Sequence, residues 1–151
     1  MKTNLVIGID PGTDHTAFCI YNKDFKKPLI DFWTCDYNLD KSLYKQAYNS
    51  ILIAIGACAT KPDLVIIESF IGRGNTREII GVLKLFLDKH DIAFTEVTPG
   101  SIKKNITGSG VATKACVIKS VNEKFGLQLK YKDRHSADSI ACAYMCEKMD
   151  I

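Results

Sequence analysis

What the 151-residue sequence lacks narrows it first. No apolar run approaches the roughly 18 to 20 residues that cross a bilayer, and no long apolar segment follows the opening Met1-Lys2-Thr3-Asn4. The chain therefore reads as soluble and cytoplasmic, without a signal peptide. There is no C-x-x-C pair: the six cysteines stand apart at 19, 35, 58, 116, 142 and 146, mostly among apolar neighbours. That spacing argues against disulfides or a zinc site and for reduced thiols packed as small hydrophobes, with Cys142 and Cys146, one helical turn apart, on a packed face. No internal repeat, low-complexity tract, linker or Walker motif occurs. What remains, with 46% hydrophobic and 25% charged residues, is a single globular domain over 1–151 that can bury a core of its own.

Charge of one sign is scarce in one place. Between Gly100 and Arg134, eight basic residues (Lys103, Lys104, Lys114, Lys119, Lys124, Lys130, Lys132, Arg134) face two acids (Glu123, Asp133), a surplus of +6. The whole chain carries +3, so the remainder is −3. A lysine-rich solvated surface would look the same by charge alone. A basic segment joined to an acidic remainder is also the balance of a nucleic-acid binder with a metal–carboxylate centre, since phosphates need Lys and Arg and cations need carboxylates.

Leu5-Val6-Ile7-Gly8-Ile9-Asp10-Pro11-Gly12 is an aliphatic run that ends on a carboxylate and turns sharply. It predicts a central strand buried on both faces, with Asp10 at the carboxyl end, where open α/β sheets place ligands. Asp before Pro-Gly is equally good turn chemistry, so the stretch alone leaves both roles open. Residues 15–22 and 28–35 read as two more strands around a polar turn, giving an antiparallel meander. Leu43, Ala47, Ile51, Ala54 and Cys58 then repeat at helical spacing within 40–60, with Asn38 or Asp40 as N-cap. The next strand, Leu64–Glu68, runs parallel to the first and also delivers a carboxylate. After a loop over 69–75, Thr76 caps a helix to Lys89 in which Ile79, Ile80, Val82, Leu83, Leu85, Phe86 and Leu87 leave little polar face. Such a helix is covered on both sides, which predicts a partner subunit. A strand over 92–97, a short helix to Ile106, the loop Thr107-Gly108-Ser109-Gly110, a helix over 112–125 closed by Gly126, and a helix over 134–148 complete the order. The expected fold is α/β: a five-stranded mixed sheet, strands one to three antiparallel and then parallel, flanked by helices.

The last helix opens Asp133-Arg134-His135-Ser136-Ala137-Asp138, and residues three apart on a helix point the same way. Beside two strand-end carboxylates this makes a divalent-cation site, with Asp10, Glu68 and Asp138 as oxygen ligands and His135 as ligand or base. Each acid also has an ordinary reading: Asp138 favours the helix dipole, Asp133 caps the helix, and His135 lies at the surface. Their joint occurrence favours the site. In the basic stretch, Gly108 and Gly110 let backbone amides approach a phosphate, with Lys103 before them and Lys114 after them to grip its neighbours.

Gly8-Ile9-Asp10-Pro11-Gly12, Ile66-Ile67-Glu68, the segment from Pro99-Gly100-Ser101-Ile102-Lys103-Lys104 through Thr107-Gly108-Ser109-Gly110 to Lys114, and His135-Ser136-Ala137-Asp138 together resemble the RuvC family of Holliday junction resolvases, in order and spacing, over nearly the whole chain. The resemblance implies a ribonuclease H-like fold, a homodimer and a magnesium-dependent endonuclease acting on four-way DNA junctions. By the same resemblance Asp10, Glu68 and Asp138 are the three acids, and His135 falls where members carry His or Asp. Lys103 and Lys114 match basic residues near the scissile phosphate, and Lys104, Gly108, Gly110 and Arg73 complete the expected DNA-contact set. Phe70 stands where an aromatic contacts the junction centre, slightly closer to Glu68 than the pattern places it. The expected cofactor is Mg2+, two per active site, with Mn2+ as a substitute, and branch-migration proteins are expected partners.

The implied chemistry is two-metal hydrolysis, with cations roughly 3.5 to 4 Å apart, Asp10 bridging, Lys114 neutralising phosphate charge and the 76–89 helix forming the dimer interface. Competing readings are a nuclease of the same fold acting on RNA or other branched DNA, an actin-like ATPase lobe, for which 151 residues are too few, and an idle junction-binding protein, which would have no use for the full acidic set.

Overall fold

Side chains alternate across a strand, and that parity decides what each residue of the first strand meets. In the computed structural model, which describes residues 4–72 and 74–149, β1 (Leu5–Asp10) turns Ile7 and Ile9 to one face and Val6, Gly8 and Asp10 to the other. β2 (His15–Asn22) pairs antiparallel with β1, with Gly8 opposite Cys19 and Asp10 opposite Ala17. β3 (Leu29–Asp36) pairs antiparallel with β2, with a register shift at Ile20 and Tyr21 of β2, which face Asp31 and Leu29. β4 (Leu64–Glu68) and β5 (Phe94–Val97) follow in parallel, giving the order β3-β2-β1-β4-β5. This is the expected ribonuclease H-like sheet, with β1 at its centre.

Two helical layers cover the sheet. Against Ile7, Ile9, Phe18, Val65 and Ile67 pack α1 (Leu43–Gly56) and α2 (Thr76–Lys89), through Ala47, Ile51, Ile79, Leu83 and Phe86 among others. Against Val6, Cys19, Tyr21, Leu64 and Ile66 pack α3 (Pro99–Thr107), α4 (Lys114–Phe125) and α5 (Arg134–Tyr144). The approach of α5 is close because its inner face is small: Ala137, Ser139, Ala141, Cys142 and Ala143 are fully buried. A Cβ on Gly8 would lie 2.4 Å from Ala143 N and Ser139 O, so glycine at that point of β1 is what lets α5 cross it.

Several boundaries differ from the expectation. α1 is capped by Ser42, whose hydroxyl accepts from Lys45 N, while the Asn38 side chain accepts from Asp40 N and ties up the preceding turn. Thr76 is not the α2 cap; Asn75 holds that position without a side-chain bond, and Thr76 is buried in the first turn. Nor is α2 apolar all round: Arg77, Glu78, Gly81, Asp88 and Lys89 make an exposed face that the large number of aliphatics hides when spacing is read by eye. Leu85 is the apolar exception on that face, 66% exposed. α4 starts at Lys114 behind the cap Thr113, and the last helix gives way after Tyr144 to a 3-10 turn over Met145–Lys148. Asp133 holds the N-cap position of α5 as expected, but its carboxylate accepts from Lys130 N in the preceding turn and makes no bond into the helix. Gly126, at φ +66°, ends α4 as expected. All six cysteines are free; Cys142 and Cys146 share the packed face, whereas Cys116 is exposed. No described helix is long and apolar enough to cross a membrane.

Candidate metal centre

Parity also assembles the site. Asp10 continues the Val6 and Gly8 face of β1, and Glu68 continues the Leu64 and Ile66 face of β4, so both carboxylates emerge on the side that α5 covers. Because β1 and β4 are parallel neighbours, both also end at the same edge of the sheet. α5 places Asp138, 7% exposed, over that edge, and carboxylate oxygens of Asp10, Glu68 and Asp138 all lie within 4.8 Å of one another. One turn earlier on α5, His135 brings its Nδ1 to 3.2 Å from Asp10 Oδ2. Lys114, the first residue of α4, donates from Nζ to Asp138 Oδ2.

The electrostatics follow from this crowding. Burial, and then the charge of Asp138, push Asp10 up from 3.8 to about 7, against the pull of Glu68 hydrogen bonding and of Lys114. Burial, and then Asp10 and Asp138, push Glu68 up from 4.5 to about 8. Burial acts to lower the Lys114 ammonium, but the hydrogen bond and charge of Asp138, with Asp10 and Glu68 behind it, outweigh burial and hold Lys114 above its ordinary value. His135 is held below its ordinary value by burial and by Arg134, which outweigh the opposing charge of Asp138. Three carboxylates here share one paired ammonium among the described residues, and burial, with the charge they place on one another, raises Asp10 and Glu68 toward neutrality. Such a donor set, all oxygen and short of two charges, is what a hard divalent cation fits.

Of the expected site residues, the fold brings together Asp10, Glu68, His135, Asp138 and Lys114. Lys103 is half-buried and Lys104 exposed on α3, away from the carboxylates in chain order but in the helix that leads into the glycine loop. Gly108 takes the left-handed conformation at φ +91° and ends α3, and Gly110 packs its backbone against Gly100. Phe70 is half-buried against the α1–α2 side of the core, with its ring over Gly72. Arg73 lies outside the described residues.

One neighbour of the site is not marked by any sequence motif. His15 opens β2, and its ring centroid lies 3.5 Å from that of His135, at an interplanar angle of 38°. His15 Nδ1 is bonded to Asp14 Oδ1 at 2.7 Å. Burial and the facing His135 hold His15 below its ordinary pKa against the pull of Asp14. The signal in the sequence was strand parity: His15 shares odd numbering with Cys19 and Tyr21, which face α5, and a hairpin returns it beside Asp10.

The family model described as crossover junction endodeoxyribonuclease RuvC matches residues 6–146. A RuvC of Gloeobacter violaceus is 31% identical over 150 residues, covering 91% of this chain and 84% of the relative. One of Prochlorococcus marinus is 30% identical over 148 residues, covering 91% of this chain and 92% of the relative. Among solved structures, Thermus thermophilus RuvC in complex with Holliday junction substrate superposes with a TM-score of 0.79 at 20% identity, covering 93% of this chain and 90% of that one.

Proposed function

The chain belongs to the RuvC family of crossover junction endodeoxyribonucleases, and on that premise we propose that it resolves four-way DNA junctions by hydrolysing phosphodiesters at the Asp10, Glu68 and Asp138 centre. The observation that carries the site is the convergence of three carboxylates within 4.8 Å at the edge of a central strand, with too little positive charge of their own. Two divalent cations, magnesium with manganese as a substitute, supply Lewis acidity and an activated water when bound.

The chain's own groups do the rest. Asp10, central in the sheet, lies beside Glu68, Asp138 and His135 and is the carboxylate that two cations would share. Lys114 carries its ammonium to the same place and stabilises charge that develops on the phosphate, a role worth about 10² to 10³ in rate where such donors have been removed. His135, held toward its neutral form by burial and Arg134, sets Nδ1 against Asp10 and offers a ring lone pair to a cation or to the proton of the attacking water. Lys103, Lys104 and the amides around Gly108 and Gly110 hold neighbouring phosphates, supported by the surplus of +6 in this segment. Phe70 is assigned to the junction centre.

The same reading makes the protein a single nuclease domain that works in the cytoplasm as a homodimer, alongside branch-migration proteins. α2 supplies the interface: Leu85 and, in the loop before it, Ile71 at 78% exposed are apolar groups with no cover in one chain. Two identical sites on a two-fold axis match a four-way junction and permit paired nicks. Mobile junction, flap, duplex and RNA:DNA hybrid, each incubated with and without Mg2+, test the substrate: the junction is cut and the others are not. Equal cutting of the hybrid would move the assignment to a nuclease of the same fold acting on RNA. Sedimentation at micromolar concentration should give a dimer, and a monomer both free and on DNA would remove the interface.

A further inference from the structure

We propose that His15 is a metal donor: with His135 and Asp10 it forms a two-imidazole, one-carboxylate position next to the all-oxygen position of Asp10, Glu68 and Asp138, and this position prefers a first-row transition ion over magnesium. The inference rests on the assignment of Asp10 as the shared ligand.

Four observations carry it. One ligand atom each from Asp10, His15 and His135 lies within 4.8 Å of the other two, a limit the three carboxylates also meet. His15 is not a solvated surface histidine: its side chain is 16% exposed, while its partner Asp14 is 70% exposed, so the carboxylate faces water and the imidazole faces the site. Asp14 accepts from His15 Nδ1 at 2.7 Å, which fixes the tautomer with its proton on Nδ1 and a lone pair on Nε2. Metal-binding histidines are held in the same way, by a carboxylate on the other ring nitrogen. Finally, Gly12 makes room for that edge of the ring. A Cβ there would lie 3.2 Å from His15 Cε1, 3.3 Å from Nε2 and 2.6 Å from the His15 carbonyl oxygen, so the turn after Asp10 tolerates no side chain while His15 occupies this place.

The ordinary account, a histidine hydrogen-bonded to its neighbour, explains the Asp14 contact but not the ring laid 3.5 Å from His135 beside a carboxylate. The two positions differ in kind. Oxygen donors suit magnesium, while imidazole favours later first-row ions, so two nitrogens among three donors tilt this position toward cobalt, nickel or zinc.

Cobalt(II), titrated into the full-length protein without DNA, tests the assignment. In the wild type, proton NMR of the cobalt complex should show hyperfine-shifted, exchangeable ring N–H signals from two imidazoles, and His15→Ala should show one. By calorimetry, His15→Ala and Asp14→Asn should each weaken Co2+ binding by about tenfold or more, the range set by losing a ligand or its carboxylate support. Mg2+ affinity should change by less than about twofold, since magnesium prefers the oxygen position. Circular dichroism checks the fold. Should His15→Ala unfold, Asp14→Asn decides, because Asp14 is on the surface. One imidazole signal in the wild type, or Co2+ affinity unchanged in the folded variants, overturns the assignment. Junction cutting in Mg2+ by the same preparations separates the two readings. Two imidazoles on cobalt with uncut junctions uphold the metal position and refute the nuclease; cut junctions with cobalt binding indifferent to His15 do the reverse.

Discussion

Replacing Asp10 by Asn should make the metal-free protein more stable at pH 8 while removing a ligand that the proposed reaction needs. Burial and the charge of Asp138 raise Asp10 from 3.8 to about 7, and burial with Asp10 and Asp138 raises Glu68 from 4.5 to about 8. An acid raised in the folded state binds more protons folded than unfolded between the two values. The contribution of these two acids is therefore most favourable below about pH 4 and is lost as pH rises toward 7 and 8. At 1.36 kcal/mol per unit, the shift of Asp10 alone forfeits about 4 kcal/mol by pH 8, a large part of the roughly 5 to 15 kcal/mol that holds a domain folded. Asn has nearly the same shape and no charge to desolvate, and its presence relieves Glu68 as well. For a chain of this size about 4 kcal/mol corresponds to roughly 8 to 16 °C in Tm. Thermal melts in EDTA at pH 5 and pH 8 should show wild-type Tm falling with pH and Asp10→Asn melting well above wild type at pH 8. A divalent cation at about a hundred times its Kd returns about 2.7 kcal/mol to the wild type and much less to the variant. A variant that melts below wild type at pH 8 without metal, or a wild-type Tm that is flat from pH 5 to 8, would refute the claim that these carboxylates repel one another in the fold.

Gly8→Ala places a methyl 2.4 Å from the backbone of α5 and should cost about 3 kcal/mol or more, read as a loss in the urea midpoint, since two packed backbones cannot yield as a flexible side chain would. The variant should also lose metal affinity, because the same displacement moves Asp138. Lys114→Ala should slow junction cutting by about 10² to 10³. Junction affinity measured in Ca2+ should fall by less than about threefold, because many phosphate contacts remain. Equal losses in binding and cutting would reduce Lys114 to a DNA contact.

The parts legible in the sequence were those fixed by local patterning. Two aliphatic runs each ending in an acid gave β1 and β4 with Asp10 and Glu68 at their ends, and three-residue spacing put His135 and Asp138 on one face of α5. Register within the hairpin is not legible in the sequence, so nothing there places His15 beside Asp10, although its parity matches Cys19 and Tyr21. Cap positions shifted where several Asn, Asp, Ser or Thr competed: Asn38 closes its own turn, leaving Ser42 to cap α1, and Asn75 takes the α2 position in place of Thr76. The polar side of α2 was hidden because aliphatic count outweighed angular position. Nothing local marks Gly8 as more than a strand residue, since Ser139 and Ala143, which demand a glycine there, come more than 130 residues later.

Cutting of a four-way junction by wild type and by Asp10→Asn, with binding measured in parallel, bears most directly on the central claim that the β1 carboxylate is a metal ligand of a junction nuclease. Wild type should place paired nicks in Mg2+ and none in EDTA, while Asp10→Asn should bind the junction and leave it intact. Near-normal cutting by Asp10→Asn, or cutting by wild type in EDTA, would contradict the account.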